Sequence, residues 1–564
     1  MTKKRNYHAM TRMMMTSSTT VDSSKAMEQK RMNCKKLLIV LAGPTAVGKS
    51  SVGAKLCSPD MASDIVTNHA IHNTIKSNNY NGEDFIPCNS ISNEIIKSKG
   101  HIISADSVQV YQGVEIGANK PTKEEIEKTP HHLINIVDGD SVCQYNAADW
   151  MRDALFVIDK LTNYSPDGHT SGDYIDNNVY DYSEDQIMEN SDAKKRVDRI
   201  EGYLTAQLNK TYNDGNCEQV LPVVVGGTMM YLQWLVHGRP DAMRPSEDAV
   251  KKATSTVTLF QQQQEEADAR QYDIENYDNM KMTDSEEPSM GWKAALEHAC
   301  SLGPIFAERV KKLPGKDWYR LRRTLEVAYT VLNDEENKDK INELYNGQRQ
   351  GGLDSLEYDV RCFFLCPDDR MAHTSVVDSR CEDMILKGLI KETADLSSRG
   401  LLPPEGQQAR AIGYRQTLDY LKRDNAEASD SSSFGQYLDD FTTATRRYAK
   451  KQMQWFRRDE KFMFVPVKLS DSSIDRVESS AKIIRDMCVL SRDEFDHLIT
   501  PATGNNGELS LSLKTKLNNE NQGKSMKLYQ GKRHKLIDGS DLLRKTISEA
   551  DVCTSQMQQF QLNG

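Results

Sequence analysis

The eleven cysteines of this chain are scattered singly: no C-x-x-C pair and no Cys/His spacing suited to zinc occurs in its 564 residues. That excludes a disulfide framework and a zinc module, and it fits reduced thiols in an intracellular protein. Long apolar runs are missing as well, so no segment approaches a membrane span and no membrane partner is expected. Apolar residues are scarce, at 38% against 27% charged. A chain of this length has room for two to four domains, but this composition implies long solvated insertions or tails outside any core.

The formal net charge of −10 leaves no overall excess of base with which to hold a polyanion. Its distribution matters more. Acid gathers between residues 167 and 192, whereas base gathers in residues 446–461. Local clustering decides whether a polyanion docks. Residues 1–36 carry many Lys, Arg, Met, Ser and Thr with only Asp22 and Glu28 as acids. That composition fits an organelle transit peptide and equally an unstructured basic tail, so the expected location is cytoplasmic, plastid or mitochondrial.

The most informative segment is LLIVLAGPTAVGKSSVGAKL, residues 37–56. Leu37 to Leu41 form an apolar strand that runs into Gly43, Pro44, Thr45, Ala46, Val47, Gly48, Lys49 and Ser50, and then into a helical pattern. In such a G-x-x-x-x-G-K-S loop the backbone N–H groups converge on phosphate oxygens, and the helix that follows adds its positive end. Lys49 neutralises the phosphate, and Ser50 is the expected Mg²⁺ ligand. Thr45 is placed to orient the diphosphate or the group attached to it.

Downstream, HIISADS (101–107) reads as a second strand presenting Asp106 and Ser107 at its carboxyl end, HHLINIVD (131–138) as a short third, and LPVVVGG (221–227) as a buried parallel strand. Helical patterns alternate with them. The expected fold is α/β, a P-loop NTPase-like parallel sheet with an inserted helical subdomain. The expected organisation is a disordered or transit segment at 1–36, a P-loop core at 37–240 with insertions near 58–99 and 162–198, and a helical insertion at 241–346. The chain then returns to the core and to a basic helix at 347–465, ahead of a mostly disordered tail at 466–564. VRCFFLCP (360–367) is the returning strand, and residues 378–396 read as one amphipathic helix.

A phosphate loop does not separate kinases, GTPases and diphosphate-releasing transferases. No NKxD-type base reader follows, nor an apolar run ending in a magnesium Asp with a switch or sensor. Instead ADSVQVY (105–111) offers a carboxylate, polar side chains suited to an adenine edge, and an aromatic ring. That set suits a site that deprotonates its substrate.

Eight blocks, in order, resemble the tRNA dimethylallyltransferases (tRNA isopentenyltransferases): GPTAVGKS (43–50), ADSVQVYQGVEIGANKP (105–121), PHHLINIVD (130–138), VVVGGTMMYLQWLVHG (223–238), DWYRLRRTLEV (317–327), RCEDMILKGLIKE (380–392), QARAIGYRQ (408–416) and ATRRYAKKQMQWFRRD (444–459). The DWYRLRR variant is plant- or algal-like. The resemblance implies transfer of a dimethylallyl group from dimethylallyl diphosphate to N6 of adenosine 37 in the tRNA anticodon stem-loop, by a monomer using Mg²⁺. Asp106 is then the general base, helped by Lys49 and Thr45. Ser107, Val108, Gln109 and Thr228 lie near the reacting base, Thr228 being equally suited to capping a turn. Arg410, Tyr414, Arg415 and Gln416 offer planes for an extruded nucleotide, and Arg322 and Arg323 match a tRNA-contacting segment. Arg447, Lys451 and Arg458 form one helical stripe suited to phosphates, with Tyr448, Gln452 and Trp455 on a neighbouring strip that packs on the core. The C-terminal zinc finger carried by many eukaryotic members is missing, since Cys488, His497 and Cys553 lack its spacing. An adenylate dimethylallyltransferase of cytokinin synthesis and a P-loop small-metabolite kinase remain as alternatives.

Overall fold

The structure is a computed structural model that describes residues 35–79, 95–140, 145–164, 191–239 (without 214 and 216), 245–275, 290–333 (without 314 and 316), 352–423 (without 354, 355, 357 and 405), 431–499 and 509–563 (without 524, 525, 527 and 528). The basic N-terminal segment and most of the acidic insert therefore lie outside the described residues. Two compact units are present, residues 237–352 and the remainder.

The larger unit is built on six parallel strands: β1 (Lys36–Ala42), β2 (Ser98–Ala105), β3 (His131–His132), β4 (Gln219–Gly226), β5 (Tyr358–Pro367) and β6 (Phe462–Val467), in the order β3-β2-β4-β1-β5-β6. Successive side chains of a strand face opposite ways. Leu38, Val40 and Ala42 enter one core layer with Val224, Cys362 and Phe364, while Leu37, Ile39 and Leu41 enter the other with Val223, Val225 and Phe363. Both faces are covered, which is why β1 reads as an unbroken apolar run from Leu37 to Ala42. The smaller unit is helical, with Glu247–Glu275, Met290–Ser301, Pro304–Val310 and Trp318–Asn333 enclosing Trp292, Leu321, Leu325 and Tyr329. Among the described residues no helix is long and apolar enough to cross a membrane.

Four expectations need correction. The polar stretch after residue 58 begins as a helix, Pro59–Asn79, whose Ala62, Ile65 and Val66 are core residues. The third strand has only two residues, because Leu133 and Asn135 take left-handed φ of 62° and 58° and turn the chain off the sheet. The helix expected at 378–396 is two helices, Arg370–Leu386 and Leu389–Ser398, broken at Gly388 with φ of 104°. The tail after residue 466 is not mostly disordered where it is described. Helices Ser473–Cys488, Arg492–Ile499, Leu511–Asn521 and Asp541–Asn563 pack on the fold and bury Ile484, Phe495, Leu543 and Met557. Polar pairing hides this part from hydrophobic periodicity. Ser512 and Asn519 are buried because Ser512 Oγ accepts from the Phe464 N–H at 2.9 Å and Asn519 Oδ1 accepts from Arg457 at 2.9 Å.

The carboxyl ends of β2 and β4 meet closely: a Cβ on Gly226 would lie 2.2 Å from the Ala105 carbonyl oxygen, which is main chain and cannot step aside. Gly226→Ala is therefore expected to destabilise the protein by about 3 kcal/mol, at the upper end for overpacking. Gly202→Ala, in an open helical position with nothing within 4 Å, should stabilise by about 0.5–1 kcal/mol. Urea unfolding of the two variants checks both signs.

Candidate active site

Four strand ends converge. β1 leads into the phosphate loop, β2 into Asp106, β4 into Gly227-Thr228, and β5 into the Arg370–Leu386 helix, which places the site outside the carboxyl edge of the sheet. The loop turns through two left-handed residues, Ala46 at φ 65° and Gly48 at 97°, before the Lys49–Leu56 helix starts. Gly48 takes this conformation freely; Ala46 takes it at a strain of about 1–3 kcal/mol, a kind of strain that collects at functional loops.

One side chain holds that shape. The amide of Gln452, from the Ser431–Arg457 helix, accepts from the Thr45 N–H at 2.9 Å and donates to the Gly227 carbonyl at 2.9 Å. It is 1% exposed. Thr45 is pinned from the other side too, its carbonyl accepting from His373 Nε2 at 2.9 Å. Burial pushes His373 down to about 4 against the pull of that bond, so the ring is neutral and its Nε2 carries the donated proton.

Lys49 Nζ donates to the Pro44 carbonyl at 2.8 Å. Burial lowers the ammonium to about 7, Arg380 adds to the fall, and Asp106 opposes it. Arg380, whose guanidinium burial also lowers, is supported by Asp106 in turn. Lys49, Arg380 and Asp106 are thus one electrostatic group. Asp106 Oδ1 accepts from the Val108 N–H at 2.8 Å and the Gln109 N–H at 3.3 Å, which fixes the carboxylate and leaves Oδ2 uncommitted among the described hydrogen bonds. Thr228 Oγ1 accepts from the Ser107 N–H at 3.1 Å, tying β4 to β2, and the Tyr448 hydroxyl donates to the Gly227 carbonyl at 3.3 Å. Ser50 is exposed at the first turn of its helix.

A hard dication has a fitting place here. Among the described residues no group of three or more His, Cys, Asp or Glu could hold a metal. The exposed Ser50 hydroxyl would supply one protein oxygen, as suits Mg²⁺, which takes its other ligands from phosphate and water.

Several expected base-contacting residues turn out to be spent on the fold. Gln109 accepts from Ser104 Oγ at 2.8 Å and donates to the Ala118 and Asn119 carbonyls, both at 3.2 Å, so its amide fastens the following loop and is not free to read adenine. Tyr414 is fully buried, donating its hydroxyl to Glu392 and accepting from the Gly117 N–H, and offers no stacking plane. Gln416 Oε1 caps its own helix at the Gly413 N–H, 2.9 Å away. Arg410 and Arg415 are exposed, Arg415 lying 3.9 Å from Asp419. Arg322 and Arg323 belong to the smaller unit, where both engage the buried Glu326.

The basic stripe is present: Arg447, Lys451 and Arg458 are exposed on the Ser431–Arg457 helix and its end. Tyr448 and Gln452, on the adjoining strip, face the site instead of merely packing on the core. Sequence reasoning missed Gln452, Arg380 and His373 as site residues. A signal existed for one: Arg380 opens RCEDMILKGLIKE, a block carried by the resemblance without a role of its own.

A P-loop α/β protein with cations and a fixed carboxylate at its strand ends suits a polyphosphate substrate and removal of a proton from a second substrate beside it. The IPP transferase family model matches residues 109–166 and 203–459, more than half of the chain, which therefore belongs to that family. A tRNA dimethylallyltransferase 9 of Arabidopsis thaliana is 27% identical over 484 residues, 81% of this chain and 78% of that protein. A tRNA dimethylallyltransferase of Protochlamydia amoebophila is 26% identical over 442 residues, 78% of this chain and 87% of that one. Similar solved structures include the Bacillus halodurans tRNA isopentenylpyrophosphate transferase, with a TM-score of 0.38 and 19% identity, covering 82% of this chain and 100% of that chain. Another is a eukaryotic dimethylallyltransferase acting on tRNA, with a TM-score of 0.41 and 16% identity, covering 88% and 99%.

Replacing Gln452 by alanine strands the Thr45 N–H and leaves the Gly227 carbonyl only the Tyr448 hydroxyl, 3.3 Å away. At about 1–3 kcal/mol for a stranded group, Gln452→Ala should lose about 1–3 kcal/mol in urea unfolding and bind inorganic pyrophosphate more weakly. Gln452→Glu should do no better, because its second oxygen would face the Gly227 carbonyl.

Proposed function

We propose that this chain transfers a dimethylallyl group from dimethylallyl diphosphate to N6 of adenosine 37 in the anticodon stem-loop of tRNA, releasing diphosphate and acting as a monomer. The observation that carries the reading is the grouping of Lys49, Arg380 and Asp106 at one edge of the sheet, in a chain of the IPP transferase family whose relatives are named for this reaction on tRNA. All these groups come from a single chain, which supports action as a monomer.

The bond changes assign the roles. The N6 lone pair attacks the allylic C1, the C1–O bond breaks, and diphosphate departs with the bonding pair. Loop amides, Lys49 and Arg380 meet the charge that develops on the leaving oxygens. Adenine N6 is a weak nucleophile whose lone pair is delocalised into the ring, so its proton must go to a base as the C–N bond forms. Asp106, held by two backbone N–H groups, is that base. Mg²⁺ on Ser50 and the diphosphate would add further charge neutralisation when bound. Thr228 fixes the floor of the pocket through Ser107, while Arg410, Arg415 and the stripe of Arg447, Lys451 and Arg458 present exposed cations to RNA phosphates. Arg322 and Arg323 add cations from the smaller unit, shared there with Glu326.

Incubation with labelled dimethylallyl diphosphate, Mg²⁺ and either unmodified tRNA or AMP tests the reading. Label is expected in tRNA; label in AMP alone, or in neither, overturns it. Asp106→Asn should lower turnover by at least about 100-fold, within the range of general-base assistance, while tRNA binding measured by filter retention is kept.

Lys49 adds a pH signature. With its ammonium lowered to about 7, the free protein at pH 8 holds mostly the neutral amine, and a bound diphosphate favours the charged form. Binding must then take up a proton, so affinity falls as pH rises above about 7, approaching tenfold per unit until the raised value in the complex is reached. Calorimetry of dimethylallyl diphosphate binding at pH 8 in two buffers of different ionisation enthalpy should show uptake approaching one proton. Lys49→Met should abolish it.

A further inference from the structure

The family model ends at residue 459, yet the chain continues through a segment that is built against the active-site helix. His373 and Arg380 are seven residues apart on Arg370–Leu386, two turns, and so share the face directed at the phosphate loop. Asp378 and Glu382 are four apart and lie on the far side. Both are 1% exposed. Glu382 accepts from three successive backbone N–H groups, those of His534 and Leu536 at 2.8 Å and that of Lys535 between them. Asp378 accepts from the Tyr529 hydroxyl at 2.8 Å and from Arg446 at 3.0 Å. Ser375 meets His534, and Gln522 accepts from the Arg370 N–H at 2.9 Å. The helix that brings two groups to the loop is thus gripped along its back by Gln522, Tyr529 and residues 534–536.

We propose that Glu382 is a positioning residue for Arg380: seated in the amides of residues 534–536, it fixes the height and rotation of the helix, and with them the place of the Arg380 guanidinium over the diphosphate pocket. The proposal rests on the reading of Lys49 and Arg380 as diphosphate ligands. A buried carboxylate in three N–H groups is directional, whereas an apolar contact would let the helix slide. A one-residue shift along a helix is 1.5 Å, enough to remove a bidentate contact.

The test is a double-mutant cycle in the full chain, read as the dissociation constant of inorganic pyrophosphate with Mg²⁺ present. Glu382→Gln should weaken pyrophosphate by about tenfold, in keeping with loss of a charge-assisted contact, and leave the dissociation constant of tRNA within about twofold. In an Arg380→Lys background the same change should matter by less than about twofold, because the residue acts through Arg380. Tyr529→Phe, a milder change that keeps all buried volume, should move in the same direction and vanish in the same background. Phe495→Leu, in the core layer on the other face of the sheet, supplies a comparable loss of melting temperature and should leave pyrophosphate affinity unchanged. Equal effects of Glu382→Gln in both backgrounds, an equal loss of tRNA affinity, no effect on pyrophosphate, or a matching loss in Phe495→Leu overturns the proposal. A wild-type chain that does not bind pyrophosphate overturns the reading of the site itself.

Discussion

The structure depends on keeping a short, strained loop in one shape while its own amides stay free for a ligand. A loop that bonds its N–H groups internally has nothing left to offer a phosphate, and a loop that bonds them to nothing collapses or samples many shapes. Gln452 resolves the conflict by taking a single N–H, that of Thr45, and tying it to the end of β4 through Gly227. His373 takes the carbonyl of the same residue. Two side chains from far along the chain therefore hold Thr45 at both backbone groups.

Charge arrangement follows from the same enclosure. Burial disfavours the charge on both Lys49 and Arg380, and Arg380 sits close enough to Lys49 to disfavour it further. An empty pocket that crowds cations is unfavourable by itself and becomes favourable when a polyanion enters, which is how preorganised electrostatic sites act. Asp106 offsets part of the crowding and is held by the N–H groups of Val108 and Gln109 at the point where β2 ends. Its placement near both cations sets a proton acceptor beside the leaving group that they neutralise.

Legibility divided along the length of the interactions. The phosphate loop, β1, β2, β4 and β5 were readable because each is encoded within about ten residues, by an apolar run and the turn residues after it. The same local reading misjudged Gln109 and Tyr414: polar and aromatic groups in a motif look like ligand contacts, but here they are consumed by the carbonyls of Ala118 and Asn119 and by Glu392. His373 and Arg380 escaped notice, and Gln452 read only as a packing residue, because their partners in the site lie more than 220 residues away. The Leu511–Asn521 helix escaped because it is seated by hydrogen bonds at Ser512, Asn519 and the adjoining Gln522, which leave no apolar stripe to detect.

That mode of seating bears on why such a polar segment is used beside the site. An apolar face holds a helix at nearly the same energy over small slides and rotations, since the hydrophobic effect has no direction. Buried carboxylates such as Asp378 and Glu382 do not tolerate those slides, because each stranded N–H or oxygen costs about 1–3 kcal/mol. The helix between them carries Arg380 and His373 to a loop whose geometry must be correct within a fraction of an ångström. Directional polar contacts on its far side, with Cys381, Met384 and Ile385 filling the core, divide the work: apolar burial supplies stability, and hydrogen bonds set the register on which the cationic pocket depends.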